Sequence, residues 1–186
     1  MDKFDLIKKE IEEQIKKSEI EADYEHSQLT WKWVFKQKPK ADAALQLAAL
    51  AHDYDRSFPD RERSDHYDTY KQYKQAHAKK SAQIVTDLML KYNFAPDEIK
   101  KVKYLIENHE IGGDGDLQTL TNADSLAYFN YNIPSYLKRN GKDKTRVKIQ
   151  FMYNRLSDKA KELVNQIKYS NKEIESLVKK VPTKVK

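Results

Sequence analysis

The chain has 186 residues, with 35 Lys and Arg against 29 Asp and Glu, and it contains no cysteine. The length predicts one domain with a substantial core. The lack of cysteine excludes disulfides and thiolate metal sites, so any metal must be bound by nitrogen and oxygen atoms of the side chains. No stretch approaches about 18 uninterrupted apolar residues and the N-terminus lacks the layout of a signal peptide, so we expect a cytoplasmic protein without a membrane span.

Glycine and proline are scarce, and apolar residues recur at the spacing of one helix face along most of the chain. The predicted helices cover residues of about 3–20, 24–37, 40–54, 66–92, 97–110 and 117–130, a short helix from Pro134 to the Asn140-Gly141 pair, and then about 143–168 and 171–181. The charged segment 55–65 and the glycine-rich segment 112–116 are predicted loops. The prediction is one all-α domain of seven to nine helices over residues 1–186.

Six polar residues occupy positions where the spacing of their apolar neighbours predicts a buried side chain. They are His26, His52, Asp53, His77, His109 and Asp124. A buried imidazole or carboxylate without a partner costs roughly 1–3 kcal/mol, so six of them would remove much of the ~5–15 kcal/mol stability of a small domain. A divalent metal ion is the simplest partner that satisfies them together.

The doublet His52-Asp53 follows an apolar run of alanine and leucine that begins at Ala43. Neighbouring side chains on a helix diverge by about 100°, so both reach one metal centre only near a helix end or between two metals. Imidazole suits Fe, Mn, Zn, Co and Ni, whereas carboxylate suits harder ions such as Mg and Mn. The residues therefore predict one or two divalent metal ions and leave the identity of the metal open.

The order His26, His52-Asp53 and Asp124 resembles the HD superfamily of metal-dependent phosphohydrolases, which is named for this doublet. His77 and His109 resemble the additional histidines of the branch that carries two metals. The likeness covers about residues 20–130, the ligand-bearing core, and a basic helical extension of about 138–186 lies outside it. The local sequence also agrees in the segments Ala48–Asp53, His77–Ala82 and Asn122–Leu126.

The resemblance implies an HD-type helical domain with a defined set of metal ligands. The first metal would be held by His26, His52, Asp53 and Asp124, and the second by His77 and His109, with Asp53 bridging. A metal-bound water, its pKa lowered towards ~7, would supply the nucleophile. His109 and Asp124 are close in sequence, so this set requires the glycine turn to fold consecutive helices together.

Cationic residues near these positions are candidates for binding a substrate phosphate. Asp53, Arg56 and Lys80 are the residues that we expect to carry the chemistry, with arginine binding in bidentate geometry and lysine as a point charge. Salt bridges to Asp55 or Asp60 explain Arg56 equally well. Further candidates are Arg61 and Arg63 closing on an anion, Glu110 as acid, base or outer-shell group, and Tyr67, Tyr70 and Tyr73 lining a pocket.

The C-terminal part of the chain is basic. From Lys138 onward it holds 15 Lys and Arg against 5 Asp and Glu, whereas the preceding residues hold 20 against 24. A basic segment can attract nucleic acid or phosphorylated small molecules. Because the basic residues alternate with apolar ones at helical spacing, a solvated helix face is favoured over a nucleic-acid interface.

The main prediction is an HD-type metallophosphohydrolase that acts on a small phosphorylated molecule, with a nucleotide preferred. Two alternatives stay open. The first is a two-iron oxygenase, because some two-iron members of the superfamily have that activity. The second is a non-catalytic sensor or interaction module that binds a nucleotide at the same site. The substrate, the metal and the oligomeric state are left undecided by the sequence.

Overall fold

The computed structural model describes residues 2–181, and every regular element in that range is helical. The α-helices are α1 (Lys3–Ile15), α2 (Asp23–Gln37), α3 (Ala43–Ala51), α4 (Tyr70–Lys91), α5 (Pro96–Asn108), α6 (Gly115–Ala127), α7 (Ile133–Asn154), α8 (Asp158–Val164) and α9 (Lys172–Lys179). Short 3-10 helices cover Tyr54–Ser57 and Ser64–His66, and a π-helical turn covers Tyr128–Asn132. The all-α prediction is confirmed, and the end of the basic extension lies outside the described residues.

Local capping fixes several helix starts more closely than periodicity does. α4 begins at Tyr70 and not near residue 66, because Thr69 and Gln72 form a reciprocal capping box there. Asn171 caps α9 by accepting from the amides of Glu173 and Ile174.

Three predicted helices are shorter or more bent than expected. α1 ends at Ile15, and the hydroxyl of Ser18 donates to Asp23 across the following turn, so the chain leaves the helix before residue 20. The predicted break at Gly141 is a kink inside α7, where this glycine has φ +74°. The predicted helix 143–168 ends at Asn154, and Ser157 caps the separate helix α8.

The core is built around α3, which is apolar on all sides. Leu45, Leu47, Ala48, Ala49 and Leu50 are each at most 1% exposed. α3 packs against α1, α2, α5 and α6, and its alanines let these helices approach closely. The C-terminal end of the most buried helix therefore delivers the His-Asp doublet into the interior.

The first turn of α4 does not belong to the buried face of this helix. Tyr70 is 58% exposed, because this end of the helix borders an open groove against α7. The buried face of α4 instead carries His77, Ala78, Ala82 and Val85.

Within residues 2–181, no helix combines the length and the apolar character that crossing a bilayer requires.

Candidate metal centre

The six predicted ligands lie on different helices and meet in the interior. His26 is in α2, His77 in α4 and Asp124 in α6. His52 and His109 each follow the last residue of a helix, α3 and α5 respectively. The chain leaves helical geometry at Asp53 (φ −106°, ψ 24°), and this change of direction allows both members of the doublet to face the same space.

These side chains form two groups that could each hold a metal ion: His26, His52 and Asp124 in one, and Asp53, His77 and His109 in the other. In the first group, Oδ1 of Asp124 lies 3.2 Å from Nε2 of His26 and 3.8 Å from Nε2 of His52. In the second group, Oδ1 of Asp53 lies 3.7 Å from ring nitrogens of His77 and His109. The other oxygen of Asp53 is 3.8 Å from Nε2 of His52, so Asp53 joins the two groups.

Hydrogen bonds from Nδ1 to backbone carbonyls orient two of the imidazoles. Nδ1 of His52 donates to the carbonyl of Ala49 at 3.0 Å, and Nδ1 of His109 donates to that of Ile106 at 2.7 Å. A neutral imidazole that donates from Nδ1 carries a lone pair on Nε2. Nε2 of each of these rings therefore points into the cluster as a metal ligand would.

His26 and His52 provide the fit test for a cation. Their Nε2 atoms are 3.2 Å apart, and Nδ1 of His26 is bonded to Oδ1 of Asn132 at 3.0 Å. If both rings are neutral and donate from Nδ1, two lone pairs face each other at this separation, and either a shared proton or a cation must lie between them. A cation with ligands at 2.0–2.1 Å places neighbouring ligand atoms about 3 Å apart, so this nitrogen and oxygen donor set fits a divalent ion.

Arginines hold both ligand carboxylates in the charged state. Burial works against ionisation of Asp124, but Arg155 and the hydrogen bond to His26 keep its pKa well below the usual value. Burial likewise opposes ionisation of Asp53, and Arg56 keeps its pKa well below the usual value. Both carboxylates are therefore available as anionic ligands near neutral pH.

A second shell of acids surrounds His77. Asp55 is completely buried and lies 3.3 Å from Nδ1 of His77, while Oε1 of Glu110 lies 3.4 Å from Nε2. Burial disfavours the charged ring, but its hydrogen bonds to the carboxylates of Asp55 and Glu110 raise the pKa of His77 to about 10. In contrast, burial lowers the pKa of His109 to about 4. Burial and the adjacent acids thus shift the pKa values of these two imidazoles in opposite directions.

The cluster opens into a cavity of about 170 Å³ whose wall carries several cations. These are Arg56, Arg139, Lys148 and Arg155. Arg56 is where the sequence predicts it, although its ion pairs are with Asp53 and Asp23 and not with Asp55 or Asp60.

The other predicted phosphate ligands are not brought to the cavity. The ammonium of Lys80 binds Asp60 at 2.9 Å, on the outer side of α4. Arg61 pairs with Glu19 at 2.8 Å, and Arg63 lies 3.6 Å from Asp65. These cations are held by nearby surface acids, so we leave Lys80 out of the proposed chemistry.

Five residues around the candidate ligands could not be identified from the sequence: Asp55, Lys74, Arg139, Lys148 and Arg155. Three of them lie in or directly after the part of α7 that falls outside the HD likeness. Asp55 lies two residues after the doublet, and a buried acid there carries no periodic signal. Glu110 was marked as a candidate beside the site, and it contacts both His77 and Lys74.

Searches of the curated proteins and of the solved structures found nothing that matches this chain significantly. A family model does match, over residues 2–178, which is nearly the whole chain. That family is described as a domain of unknown function, DUF4202. The match includes all six ligand positions and α7, and the chain belongs to the DUF4202 family.

Proposed function

We propose that the protein is a metal-dependent phosphohydrolase of the HD type. It hydrolyses a phosphoester or phosphoanhydride of a small phosphorylated molecule, with nucleotides as the preferred class. The proposal is supported above all by the two His/Asp groups that Asp53 joins next to a cavity with a cationic wall. Two divalent ions bound there would lower the pKa of a water molecule and neutralise phosphate oxygens.

Two cations of the wall are free to bind the substrate phosphate. Arg56 and Arg155 are engaged by the ligand carboxylates Asp53 and Asp124. Arg139 and Lys148 line the same cavity, and neither makes an ion pair with a carboxylate of residues 2–181. We assign the phosphate to these two side chains, with the guanidinium binding two oxygens and the ammonium binding as a point charge.

Glu110 is placed to act on a water molecule close to the second ligand group. Burial opposes its charge, but the hydrogen bond from His77 and the nearby Arg155 and Lys74 hold its pKa well below the usual value. The carboxylate is therefore ionised, and Oε1 can accept a proton from a water or orient it. Glu110 acts as a base or an orienting group in this proposal and not as an acid.

Metal content and phosphate release test the proposal together. The wild-type chain, Asp53→Asn and the control Asp87→Asn, an exposed position on α4, would be dialysed against Mn²⁺ and analysed for bound metal. Each would then be incubated with a panel of nucleotides and sugar phosphates. We expect the wild type and the control to bind metal and release phosphate, and Asp53→Asn to lose metal and at least ~100-fold of the rate.

Two results would decide against phosphate hydrolysis. Phosphate release that persists in Asp53→Asn would contradict the assigned site. Iron-dependent consumption of oxygen, without phosphate release from any member of the panel, would support the two-iron oxygenase instead.

A further inference from the structure

A second, larger concavity adjoins the metal centre. The groove between α4 and α7 has a volume of about 820 Å³. Four residues line both this groove and the cavity of the metal centre, namely Tyr70, Glu110, Tyr136 and Lys148. A ligand in the groove can therefore extend into the cavity, and the groove is much larger than a phosphate group needs.

A row of aromatic rings leads from the groove to the metal ligands along α4. The ring centroids of Tyr70 and Tyr73 are 5.5 Å apart, and those of Tyr73 and His77 are 5.4 Å apart in a stacked arrangement. Tyr70 is 58% exposed, and Phe151, on the opposite wall in α7, is 38% exposed. Exposed rings on both walls of a concave surface are suited to stacking with a planar ring.

The walls of the groove are cationic. The ammonium groups of Lys74 and Lys148 lie 4.1 Å and 5.2 Å from the centre of the Phe151 ring. Lys74 pairs with Glu110 at 2.5 Å, whereas Lys148 has no carboxylate partner within residues 2–181. Lys148 is half-buried, and burial lowers the pKa of its ammonium, although the charges of Glu110 and Asp124 oppose this shift. A ligand of this groove is therefore expected to be anionic near Lys148.

We propose that the groove between α4 and α7 binds the base of a nucleotide whose phosphate reaches the metal centre. The base stacks against the exposed rings of Tyr70 and Phe151, beside the Lys74 ammonium that lies 5.9 Å and 4.1 Å from their centres. Lys148 contacts the phosphate at the junction of groove and cavity. The inference rests on the proposed function for the position of the phosphate. One wall of the groove is α7, which lies outside the region that resembles the HD superfamily. The proposed base site therefore depends on the C-terminal region of this chain.

Aromatic rings with adjacent cations favour this occupant over an acyl chain. A planar heterocycle gains from stacking on both walls and from the positive charges at its edge. An acyl chain gains only from apolar burial, and Lys74 and Lys148 beside Phe151 would lose hydration against it. The aromatic walls thus predict selectivity for compounds that carry a base over compounds that carry only the sugar.

Binding of non-hydrolysable phosphonates tests the groove without requiring turnover. The Mn²⁺-loaded full chain would be titrated calorimetrically with the 5′-methylenephosphonate analogues of the four common ribonucleotides and with the corresponding ribose analogue, which lacks a base. The variants are Tyr70→Ala and Phe151→Ala. The matched control is Tyr104→Ala, since Tyr104 is 56% exposed on α5 and does not line the groove.

We expect at least one nucleoside phosphonate to bind the wild type and Tyr104→Ala about tenfold or more tightly than the ribose phosphonate. Tyr70→Ala and Phe151→Ala should each reduce that ratio at least threefold and leave the affinity for the ribose phosphonate unchanged. A wild-type ratio below about threefold, or a ratio retained in both variants, would overturn the inference. A retained base preference without turnover of any nucleotide would leave the groove assigned and refute the proposed hydrolysis.

Discussion

Arg155 binds Asp124 through one nitrogen and leaves the other carboxylate oxygen free for the metal centre. Nη1 of Arg155 lies 2.9 Å from Oδ2 of Asp124, while Oδ1 faces His26 at 3.2 Å. Nη2 of the same guanidinium donates to the carbonyl of His109 at 2.6 Å. One side chain at the end of α7 therefore fixes the positions of two ligands that belong to different groups.

Replacing Arg155 should weaken metal binding although it is not a ligand. Arg155→Met removes the charge and the two hydrogen bonds, so Asp124 would lose its orientation. We expect the affinity for Mn²⁺, measured by calorimetry, to fall about 10–100-fold, which is usual when an outer partner of a ligand is lost. Arg146→Met, at an exposed position of α7, should bind as the wild type does. Unchanged affinity in a folded Arg155→Met protein would exclude this role.

Asp55 should act mainly on the group that contains His77. Its Oδ1 is 3.3 Å from Nδ1 of His77 and 3.1 Å from the hydroxyl of Ser81, and the carboxylate is fully buried. In Asp55→Asn, the neutral amide is a weaker hydrogen-bond acceptor for Nδ1 of His77, so the ring is held less firmly. We expect a loss of about 1–3 kcal/mol in the free energy of unfolding, and fewer than two Mn²⁺ ions per chain by elemental analysis.

The exposed Asp60 gives the matched control for that change. Asp60→Asn removes a carboxylate that pairs only with Lys80 on the surface, so its stability should stay within about 0.5 kcal/mol of the wild type. Its metal content should not change. Equal metal content in Asp55→Asn and Asp60→Asn would show that Asp55 does not position His77.

Removal of metal should lower the thermal stability of the protein. An ion that binds only the folded chain stabilises it by about 2.7 kcal/mol when its concentration is a hundred times the Kd. We expect Tm to rise with Mn²⁺ concentration and to fall after dialysis against a chelator. His52→Ala, which removes a ligand from the first group, should show a much smaller dependence of Tm on Mn²⁺. A Tm of the wild type that is independent of Mn²⁺ would contradict metal binding at the cluster.

A separate ion-pair cluster predicts how stability depends on pH. Asp116, in the first turn of α6, is bound by Lys38 and Lys101, and its side chain is 17% exposed. Burial opposes its charge, but the hydrogen bonds from Lys101 and Lys38 lower its pKa below the usual 3.8. Since the folded pKa is the lower one, this contribution is present above the unfolded pKa and is lost as the pH falls through the folded value.

The substitution Asp116→Asn isolates that contribution. At pH 7 we expect it to cost about 1 kcal/mol in urea unfolding, because the lysines are partly exposed and solvent screens the pairs. The difference from the wild type should shrink as the pH is lowered below 4 and should not grow. A difference that stays constant between pH 7 and pH 3 would assign the loss to packing and not to charge.

The helices and the buried positions of most of the candidate ligands could be predicted because each depends on short-range periodicity. The apolar run of α3 and the inward position of His52 follow from the spacing of residues within one helix, and the structure buries them as expected. The bend at Asp53 could not be predicted in this way, because it depends on where α3 meets its neighbours. The groove beside the first turn of α4 could not be predicted either, because its second wall is α7.

By itself, the sequence determined an all-helical domain and the polar residues that enter its core. The reason is that apolar residues recur every three or four positions along the buried face of a helix. Only the tertiary structure decided which cations surround the cluster. Lys80 lies one turn after His77 yet binds Asp60, whereas Arg155 lies 31 residues from Asp124 and binds it directly. The choice of an ion partner depends on distances across packed helices, and no local pattern in the sequence records those distances.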